Sequence, residues 1–331
     1  MNSFIQQLLN SDKRIAIPIM IHPGIEAIGK NVIDAVTDGE VHYQAIKNVT
    51  ETYDTTACTV IMDLTVEAEA FGCAISMPEH EVPSVTGRLV CDEESVNRLQ
   101  VPSLSAGRMP EYLKANRLAV ETIKNKAVLS GCIGPFSLAG RLYDMSEIMV
   151  GIYIEPDVIK TLLDKCTEYI TLYCKELKAI GATGVIMAEP AAGLLSNEDC
   201  LEYSTVYVKR IVEAVQDDNF TVVLHNCGNK GHCTQAMIDS GAAALHFGNA
   251  VNMVETLEQC PSNLIVMGNI DPVGILKQAT PEEVYRITAD LLAKTAQYKN
   301  FVISSGCDMP PFVPDVNINA FYRAIADFNA V

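Results

Sequence analysis

The chain has 331 residues, of which 49% are hydrophobic and 20% charged, and its 24 basic and 41 acidic side chains give a formal net charge of −17. Proteins that bind nucleic acid or an anionic membrane need clustered Lys and Arg, so this charge disfavours both kinds of partner. Nearly half of the residues can enter a core, which excludes a disordered chain.

The sequence carries no pattern of export or membrane insertion. The segment from Met1 to Lys13 is polar and of mixed charge, unlike a signal peptide, and no apolar run reaches the roughly 18 residues of a membrane span. Most of the 11 cysteines lie in apolar runs, where a reduced thiol packs as a small hydrophobe. The sequence therefore indicates a soluble cytoplasmic enzyme, in which an unusually placed cysteine is a candidate metal ligand or nucleophile.

Short apolar segments recur along the chain, and a helical pattern follows each of them. They are Ile15–Met20, Cys58–Leu64, Ala127–Gly134, Gly184–Pro190, Thr221–Gly228, Ala242–Gly248, Leu264–Ile270 and Phe301–Cys307. Segments that are apolar on both faces are typical of parallel strands covered by helices. Eight strands alternating with helices predict a (β/α)8 TIM barrel rather than an open doubly wound sheet. We expect residues 1–331 to form one domain of this kind.

The helices carry clear boundary signals. Pro156 lies in the first turn of a helix that Gly181 ends, and Thr280 with Glu283 forms a capping box at the start of another. One connection is abnormal, because residues 65–126 join the second and third predicted strands over about twice the length of a usual crossover. This extended segment is either a decorated loop or a lid, since connections that leave strand carboxyl ends build barrel active sites.

Two predicted strands end in residues that suit a metal. Thr221–Gly228 ends with His225 and Cys227, which share a face because residues i and i+2 of a strand point the same way. Cys307 ends the last predicted strand and reaches the same rim of a barrel. One imidazole and two thiolates, with a fourth position open, are typical of catalytic zinc. The sequence predicts a Zn²⁺ site of His225, Cys227 and Cys307, and ordinary packing of the same residues is the alternative.

Three further residues end predicted strands at this rim. Glu189 is a candidate fourth ligand displaced by substrate, or an acid–base group with a raised pKa, or a carboxylate paired with a Lys. His246 suits either of the first two roles or a place in the core. We favour Glu189 for the fourth position, because a carboxylate is the harder and more readily exchanged ligand. Asp271 is expected to be a helix N-cap.

Two neighbouring residues rival the predicted ligands. His232 and Cys233 follow Cys227 within a few positions. They fall in a polar stretch, and Cys233 is expected to begin the next helix, so we expect both to lie outside a metal site.

Several motifs lie at or near the predicted strand ends, namely Gly131–Gly140 (G-C-I-G-P-F-S-L-A-G), Ala188–Gly193 (A-E-P-A-A-G), Leu224–Asn229 (L-H-N-C-G-N), Gly268–Pro272 (G-N-I-D-P) and Ser304–Pro311 (S-S-G-C-D-M-P-P). Together they resemble the uroporphyrinogen decarboxylase superfamily, and within it the corrinoid-dependent methyltransferases. The resemblance covers nearly the whole chain and implies a (β/α)8 barrel. Those methyltransferases hold zinc with a His-x-Cys pair and a later Cys, which implies the same role for His225, Cys227 and Cys307.

The resemblance also implies the other reactants. A methylated corrinoid would be the co-substrate, and a partner corrinoid protein would deliver it, since the cobalamin-binding motif D-x-H-x-x-G does not occur in the sequence. Zinc would present a thiol as its thiolate, and Glu189 could accept the thiol proton. The sequence leaves coenzyme M, tetrahydrofolate and an aryl methyl ether open as acceptor or donor. Lys230 and Arg141 are candidates for binding a sulfonate.

Decarboxylation of a tetrapyrrole is the alternative function. The decarboxylases of the superfamily bind substrate carboxylates through two N-terminal arginines, whereas here Arg14 alone precedes the corresponding stretch Ile15–Gly24. A substrate with eight carboxylates would meet few cations in a chain of this net charge. We therefore expect a methyltransferase rather than a carboxy-lyase. A corrinoid-binding module without catalysis is a third and weaker interpretation.

Overall fold

The structure is a computed structural model that describes residues 2–330. Its strands are β1 (Ala57–Thr59), β2 (Ala74–Ser76), β3 (Ser84–Thr86), β4 (Ala127–Ile133), β5 (Gly184–Ala188), β6 (Thr221–Asn226), β7 (Ala244–Phe247), β8 (Ile265–Ile270) and β9 (Phe301–Ser305). Seven of them form one parallel sheet in the order β1-β4-β5-β6-β7-β8-β9, and β2 and β3 form a separate antiparallel hairpin.

Helices follow the strands along the chain. They are α1 (Ser3–Leu9), α2 (His22–Ala27), α3 (Val32–Thr37), α4 (Gly39–Thr52), α5 (Val66–Phe71), α6 (Glu93–Arg98), α7 (Met109–Thr122), α8 (Pro135–Tyr143), α9 (Met145–Ile154), α10 (Pro156–Ile180), α11 (Asn197–Cys200), α12 (Val206–Val215), α13 (Thr234–Asp239), α14 (Met253–Gln259), α15 (Pro281–Lys294) and α16 (Asp315–Asn329). A 3-10 helix spans Pro190–Leu194, and π-helical turns span Leu201–Thr205 and Pro272–Lys277. The predicted capping box of Thr280 and Glu283 is confirmed at the start of α15.

The first predicted strand is irregular. Ala16 makes one parallel bridge with Ile303 of β9, and its carbonyl accepts the Thr56 N–H at 3.1 Å just before β1. The segment therefore lies between the two edges of the sheet and joins them. Pro18 has no N–H to donate, which prevents regular pairing through this stretch. The predicted TIM-type barrel is confirmed, but it consists of seven regular strands and one bridging segment.

The strands are apolar on both faces because they separate two cores. Inside the barrel, Leu129, Ile186 and Val223 pack together, and helix α1 adds Phe4 and Leu8 to the same cluster. The alternate residues of each strand pack outward beneath the helices in a second, larger cluster. Because both faces of each strand are buried, the strands are continuous apolar segments, which is why they could be predicted from the sequence.

The long connection contains helices α5, α6 and α7 together with the hairpin β2–β3. Residues 80–82, at the tip of this hairpin, line a cavity at the mouth of the barrel. The hairpin is tied to α3, because the Ile33 N–H donates to the Glu79 carbonyl at 3.4 Å and Asn31 donates to the Glu79 carboxylate at 2.8 Å. The segment therefore adds structure to the barrel and contributes residues to the cavity wall, and its action as a lid stays a prediction.

Across residues 2–330, none of the helices combines the length and the apolar character that crossing a membrane requires.

Candidate metal centre

His225, Cys227 and Cys307 meet at the carboxyl end of the barrel. His225 lies near the end of β6, Cys227 follows that strand directly, and Cys307 follows β9. One ligand atom from each residue lies within 4.8 Å of the other two. In the described part of the chain, no other group of three His, Cys, Asp or Glu side chains meets this criterion. The structure therefore brings the three predicted ligands together, although they come from strands about 80 residues apart in the sequence.

The His225 ring is buried, and one of its two nitrogens has no hydrogen-bond partner among the described residues. Its Nδ1 lies 2.8 Å from Nδ1 of His246 and 3.3 Å from the His246 carbonyl oxygen. Its Nε2 is buried and has no hydrogen-bond partner among residues 2–330. A buried nitrogen without a partner is costly, and a metal bound through its lone pair would remove that cost.

His246 lies behind His225 on the neighbouring strand β7. Its Nε2 lies 2.8 Å from the Ser304 hydroxyl, and its ring meets the His225 ring edge to face, with centroids 4.6 Å apart. Burial, and then the nearby His225, hold the pKa of His246 well below its usual value, so the ring is neutral. A neutral His246 can accept a hydrogen bond from the Nδ1–H of His225 through its own Nδ1 and donate one from its Nε2–H to the Ser304 hydroxyl. That arrangement leaves the lone pair of His225 on Nε2.

The two thiols of the cluster lie within 4.8 Å of each other, and each shifts the pKa of the other. The Cys307 thiol lowers the pKa of Cys227, whereas this contact and burial together raise the pKa of Cys307 to about 12. Two thiols this close lose their first proton easily and their second with difficulty. A divalent cation between them would favour the loss of both protons. Gly248 makes room for the site, because a Cβ there would lie 2.8 Å from Cys227 Cα.

Glu189 is a neighbour of the cluster but not a member of it. Its carboxylate accepts hydrogen bonds from the Ser137 N–H at 2.6 Å, the Ser137 hydroxyl at 2.7 Å and the Phe136 N–H at 3.2 Å, all in the first turn of α8. Burial raises its pKa to about 7, against the lowering effect of these bonds. A Cβ on Gly134 would overlap this carboxylate, so only glycine fits there.

The side chains of Glu189 and His246 therefore bond to groups around the cluster, namely the first turn of α8 for Glu189 and the His225 ring and Ser304 for His246. The Glu189 backbone N–H donates to the His225 carbonyl at 2.8 Å, which fixes β5 against β6. Exchange of the Glu189 carboxylate with a substrate on a metal stays a prediction, and so does acid–base catalysis by either residue.

A cavity of about 540 Å³ opens in front of the cluster. Its wall is mostly apolar and includes His22, Met62, Leu64, His80, Glu81, Val82, Ala188, Pro190, His225, Cys227, Lys277, Cys307, Asp308, Met309, Pro310, Pro311 and Phe312. Concave, mainly apolar sites with a few convergent polar groups are typical of small-molecule binding.

Sequence reasoning missed the polar groups beside Cys307. The Asp308 carboxylate accepts the Met62 N–H at 3.2 Å and lies 3.8 Å from Nε2 of His22. Burial raises the pKa of Asp308 well above its usual value, and burial together with the charge of Lys277 lowers the pKa of His22 to about 4. Of these groups, only Asp308 could have been found from the sequence, because it directly follows the predicted ligand Cys307.

The remaining candidates lie elsewhere. Asp271 is confirmed as an N-cap, since its side chain accepts from the Val273 and Gly274 N–H groups. His232 and Cys233 are outside the cluster, as expected. Lys230 is exposed in the loop after β6, and Arg141 is largely buried on α8 among Asp63, Glu67 and Cys73. Neither Lys230 nor Arg141 lines the cavity, whereas Lys277 does.

Known proteins resemble this chain over most of its length. The sequence model of the family described as uroporphyrinogen decarboxylase (URO-D) matches residues 14–328. The methylcobamide:CoM methyltransferase MtbA of Methanosarcina acetivorans is 30% identical over 276 residues, which cover 82% of this chain and 80% of the relative. The uroporphyrinogen decarboxylase of Psychromonas ingrahamii is 25% identical over 288 residues, which cover 84% and 80% of the two chains.

A solved structure has the same fold. A methyltransferase from Methanosarcina mazei superposes with a TM-score of 0.89 at 23% identity, and the match covers 98% of this chain and 97% of that one. At this identity the likeness supports the fold, which agrees with the barrel described above.

Proposed function

Because the chain belongs to the uroporphyrinogen decarboxylase family, and because the MtbA relative is similar over four-fifths of it, we propose that it is a corrinoid-dependent methyltransferase whose acceptor is a small thiol. The methyl donor would be a methylated corrinoid, presented by a partner corrinoid protein at the mouth of the barrel. We propose zinc as the resident metal.

The observation that carries this proposal is the cluster at the cavity wall. His225 Nε2 is buried without a partner, and one ring nitrogen of His225 and the sulfurs of Cys227 and Cys307 all lie within 4.8 Å of one another. One nitrogen and two sulfurs are the donor set that zinc prefers, and three protein ligands leave a fourth position for a substrate. The residues present therefore fit the metal.

The residues around the cluster would prepare the thiol for transfer. Zinc, when bound, would supply the positive charge that lowers the pKa of a thiol by several units. His246 orients His225 through the bond between their Nδ1 atoms, and the apolar side chains of Met62, Leu64 and Met309 limit water at the reacting sulfur. The thiolate sulfur bonds to the methyl carbon of the corrinoid, and the electron pair of the broken cobalt–carbon bond stays on cobalt.

The contacts support positioning roles for Glu189 and His246 rather than direct participation. Glu189 holds the first turn of α8 through its carboxylate and holds β6 through its backbone N–H. His246 fixes the tautomer and orientation of His225. Groups that orient a metal ligand in this way commonly set metal affinity and activity without touching the substrate.

Decarboxylation of uroporphyrinogen is the less supported alternative. Among the described residues that line the cavity, one is Lys or Arg, namely Lys277, and two are acidic, namely Glu81 and Asp308. Such a wall is poorly suited to a substrate with eight carboxylates.

The test is methyl transfer by protein loaded with one zinc per chain. Methylcobalamin and a panel of small thiols should yield the methylated thiol, detected by mass spectrometry, together with cob(I)alamin, detected by its absorption. Uroporphyrinogen should be returned unchanged. Formation of coproporphyrinogen, or methyl transfer at the same rate in metal-free protein, would contradict the proposal.

A further inference from the structure

A second cavity, of about 400 Å³, lies at the amino end of the barrel, opposite the metal centre. It is enclosed by α1, by the segment that joins the two edges of the sheet, by the residues directly before β1 and by α16. Of the described residues on its wall, Lys13 and Arg14 are basic and Asp54 is acidic, whereas the whole chain has 24 basic and 41 acidic side chains. This wall is therefore locally positive in an acidic protein, which favours an anion over a cation in the cavity.

Arg14 is a fixed cation in this wall and has no counter-ion. Its Nη atoms donate to the carbonyl oxygens of Thr295, Tyr298 and Phe301 at 2.8, 2.9 and 2.6 Å, and no described carboxylate lies within 4.0 Å. Its Nε is buried and has no hydrogen-bond partner in the described chain. Burial lowers the pKa of Arg14 to about 10, and no acidic group opposes this effect. The guanidinium is still charged at neutral pH, so an anion beside it would offset part of the cost of burying the charge.

Tyr322 on α16 is a second donor in the same wall. Its hydroxyl is buried and has no hydrogen-bond partner among residues 2–330, since the nearby Thr55 hydroxyl donates instead to the Ala57 carbonyl at 2.7 Å. The Tyr322 ring stacks on the Tyr53 ring, with centroids 5.8 Å apart, which holds the hydroxyl in place. Burial raises the pKa of Tyr322, so the hydroxyl keeps its proton and can donate it. Buried donors usually have an acceptor in a folded protein, and these two lack one.

We propose that this cavity binds a small oxyanion, a carboxylate or a phosphate, through the Arg14 Nε–H and the Tyr322 O–H. Oxygens that carry negative charge form stronger hydrogen bonds with such donors than neutral oxygens do. Lys13 is exposed at the edge of the cavity and adds positive charge, and the repulsion from Asp54 is screened because this carboxylate is exposed too. The site lies at the opposite end of the barrel from the metal centre, so the inference goes beyond the proposed methyl transfer and does not depend on it.

Calorimetric titrations of the protein with inorganic phosphate and with succinate, at constant ionic strength, test the assignment. Tyr322→Phe removes one donor and keeps the stacked ring, so the Kd of the anion that binds should rise roughly 10- to 100-fold, the range for a hydrogen bond to a charged group. Lys13→Met should raise the same Kd by a smaller factor, about 2- to 5-fold, because an exposed charge contributes less. Lys30→Met is the matched control, since it removes an exposed Lys that does not line the cavity.

A variant of the metal centre shows at which end of the barrel the anion binds. Cys307→Ala should bind the anion as tightly as wild type, because Cys307 lies at the carboxyl end. Binding of phosphate, of succinate or of both supports the assignment if it weakens in Tyr322→Phe and persists in Lys30→Met and Cys307→Ala, and the anion that binds identifies the ligand class. Binding of neither anion, equal Kd values for wild type and Tyr322→Phe, or loss of binding in Cys307→Ala overturns it. Thermal unfolding of each variant without anion verifies that it is folded.

Discussion

Two pairs of cysteines lie near the carboxyl end of the barrel, and in each pair the two thiols are close enough to shift the pKa of one another. Cys227 and Cys307 are half-buried at the cavity, whereas Cys200 and Cys233 are 3% and 0% exposed and do not line it. In both pairs the neighbouring thiol lowers the pKa of one cysteine and raises that of the other. The chemistry of the two thiol pairs is thus similar, and their surroundings differ.

The difference lies in the third group that each pair meets. Cys227 and Cys307 face an imidazole nitrogen of His225 that has no other described partner. Cys233 instead lies 3.5 Å from the carbonyl oxygen of Leu195, and the same oxygen is 3.0 Å from Nε2 of His232. A carbonyl oxygen only accepts hydrogen bonds, so it favours the protonated forms of both groups, the Cys233 thiol and the His232 Nε2–H. Proximity of thiols is therefore insufficient, and a metal site also needs a third donor that the fold leaves without a partner.

The largest expected effect comes from removing a thiol of the Cys227–Cys307 pair. Cys227→Ala and Cys307→Ala should each abolish zinc binding and lower kcat/KM at least about 1000-fold, because several kcal/mol of Lewis-acid stabilisation is lost. Cys200→Ala and Cys233→Ala should keep one zinc per chain and most of the activity. Metal analysis and steady-state kinetics on the four variants measure this contrast. Loss of zinc in Cys233→Ala would show that the two pairs do not differ as described.

The histidines sharpen the same contrast with a smaller effect. His246→Ala removes the group that orients His225, so zinc affinity should fall roughly 10- to 100-fold, the range for groups that orient metal ligands. His232→Ala removes the group bonded to the Leu195 carbonyl and should leave zinc affinity unchanged. Competition with a chromophoric chelator measures both affinities. Equal zinc affinities in His246→Ala and His232→Ala would show that His246 does not orient His225 for metal binding.

Glu189 connects the two regions, and its protonation predicts a dependence of stability on pH. Its backbone N–H holds His225, and Ala192 and Leu195, soon after it, contact the Cys233 thiol. Burial raises its pKa from 4.5 to about 7, so the folded state binds more protons than the unfolded state between these values. This contribution to stability is present below about pH 4.5 and is lost as the pH rises through 7.

Glu189→Gln removes this dependence. As the pH rises from 5 to 8, the unfolding free energy of the variant minus that of wild type should increase by about 1–3 kcal/mol. The altered hydrogen bonds add a constant loss of stability that does not depend on pH. Urea unfolding of both metal-free proteins measures the change. Burial also raises the pKa of Glu67 to about 7, but that group is present in both proteins and cancels. Parallel stability curves would show that the carboxylate stays charged.

The smallest expected effect concerns the stability that the buried pair of Cys200 and Cys233 contributes. Cys233→Ala removes a buried thiol and leaves a small void, which should cost about 1 kcal/mol of unfolding free energy. Calorimetric unfolding of the metal-free protein, with wild type as reference, measures it. Unchanged stability would show that the thiol contributes no packing.

Much of the fold and the cluster could be predicted from the sequence because the signals are local. Continuous apolar segments revealed seven regular strands, and Gly181 and Thr280 marked helix ends as predicted. The i, i+2 spacing of His225 and Cys227 fixes their common face, and parallel strands bring Cys307 to the same rim. The prediction of a regular strand around Ala16 is wrong, because burial makes the composition of this segment strand-like while Pro18 interrupts the pairing.

Tertiary structure alone decided which groups surround the cluster. The carboxylate of Glu189 is held by α8, some 50 residues earlier in the chain, and His246 lies against His225 because β7 pairs with β6 in that register. Lys277 and Phe312 come from separate connections that converge on one cavity. Composition and periodicity report whether a residue is buried, but hydrogen-bond partners and charge environments depend on contacts between distant segments. For this reason the sequence determined the barrel and the candidate ligands, and the fold determined their partners.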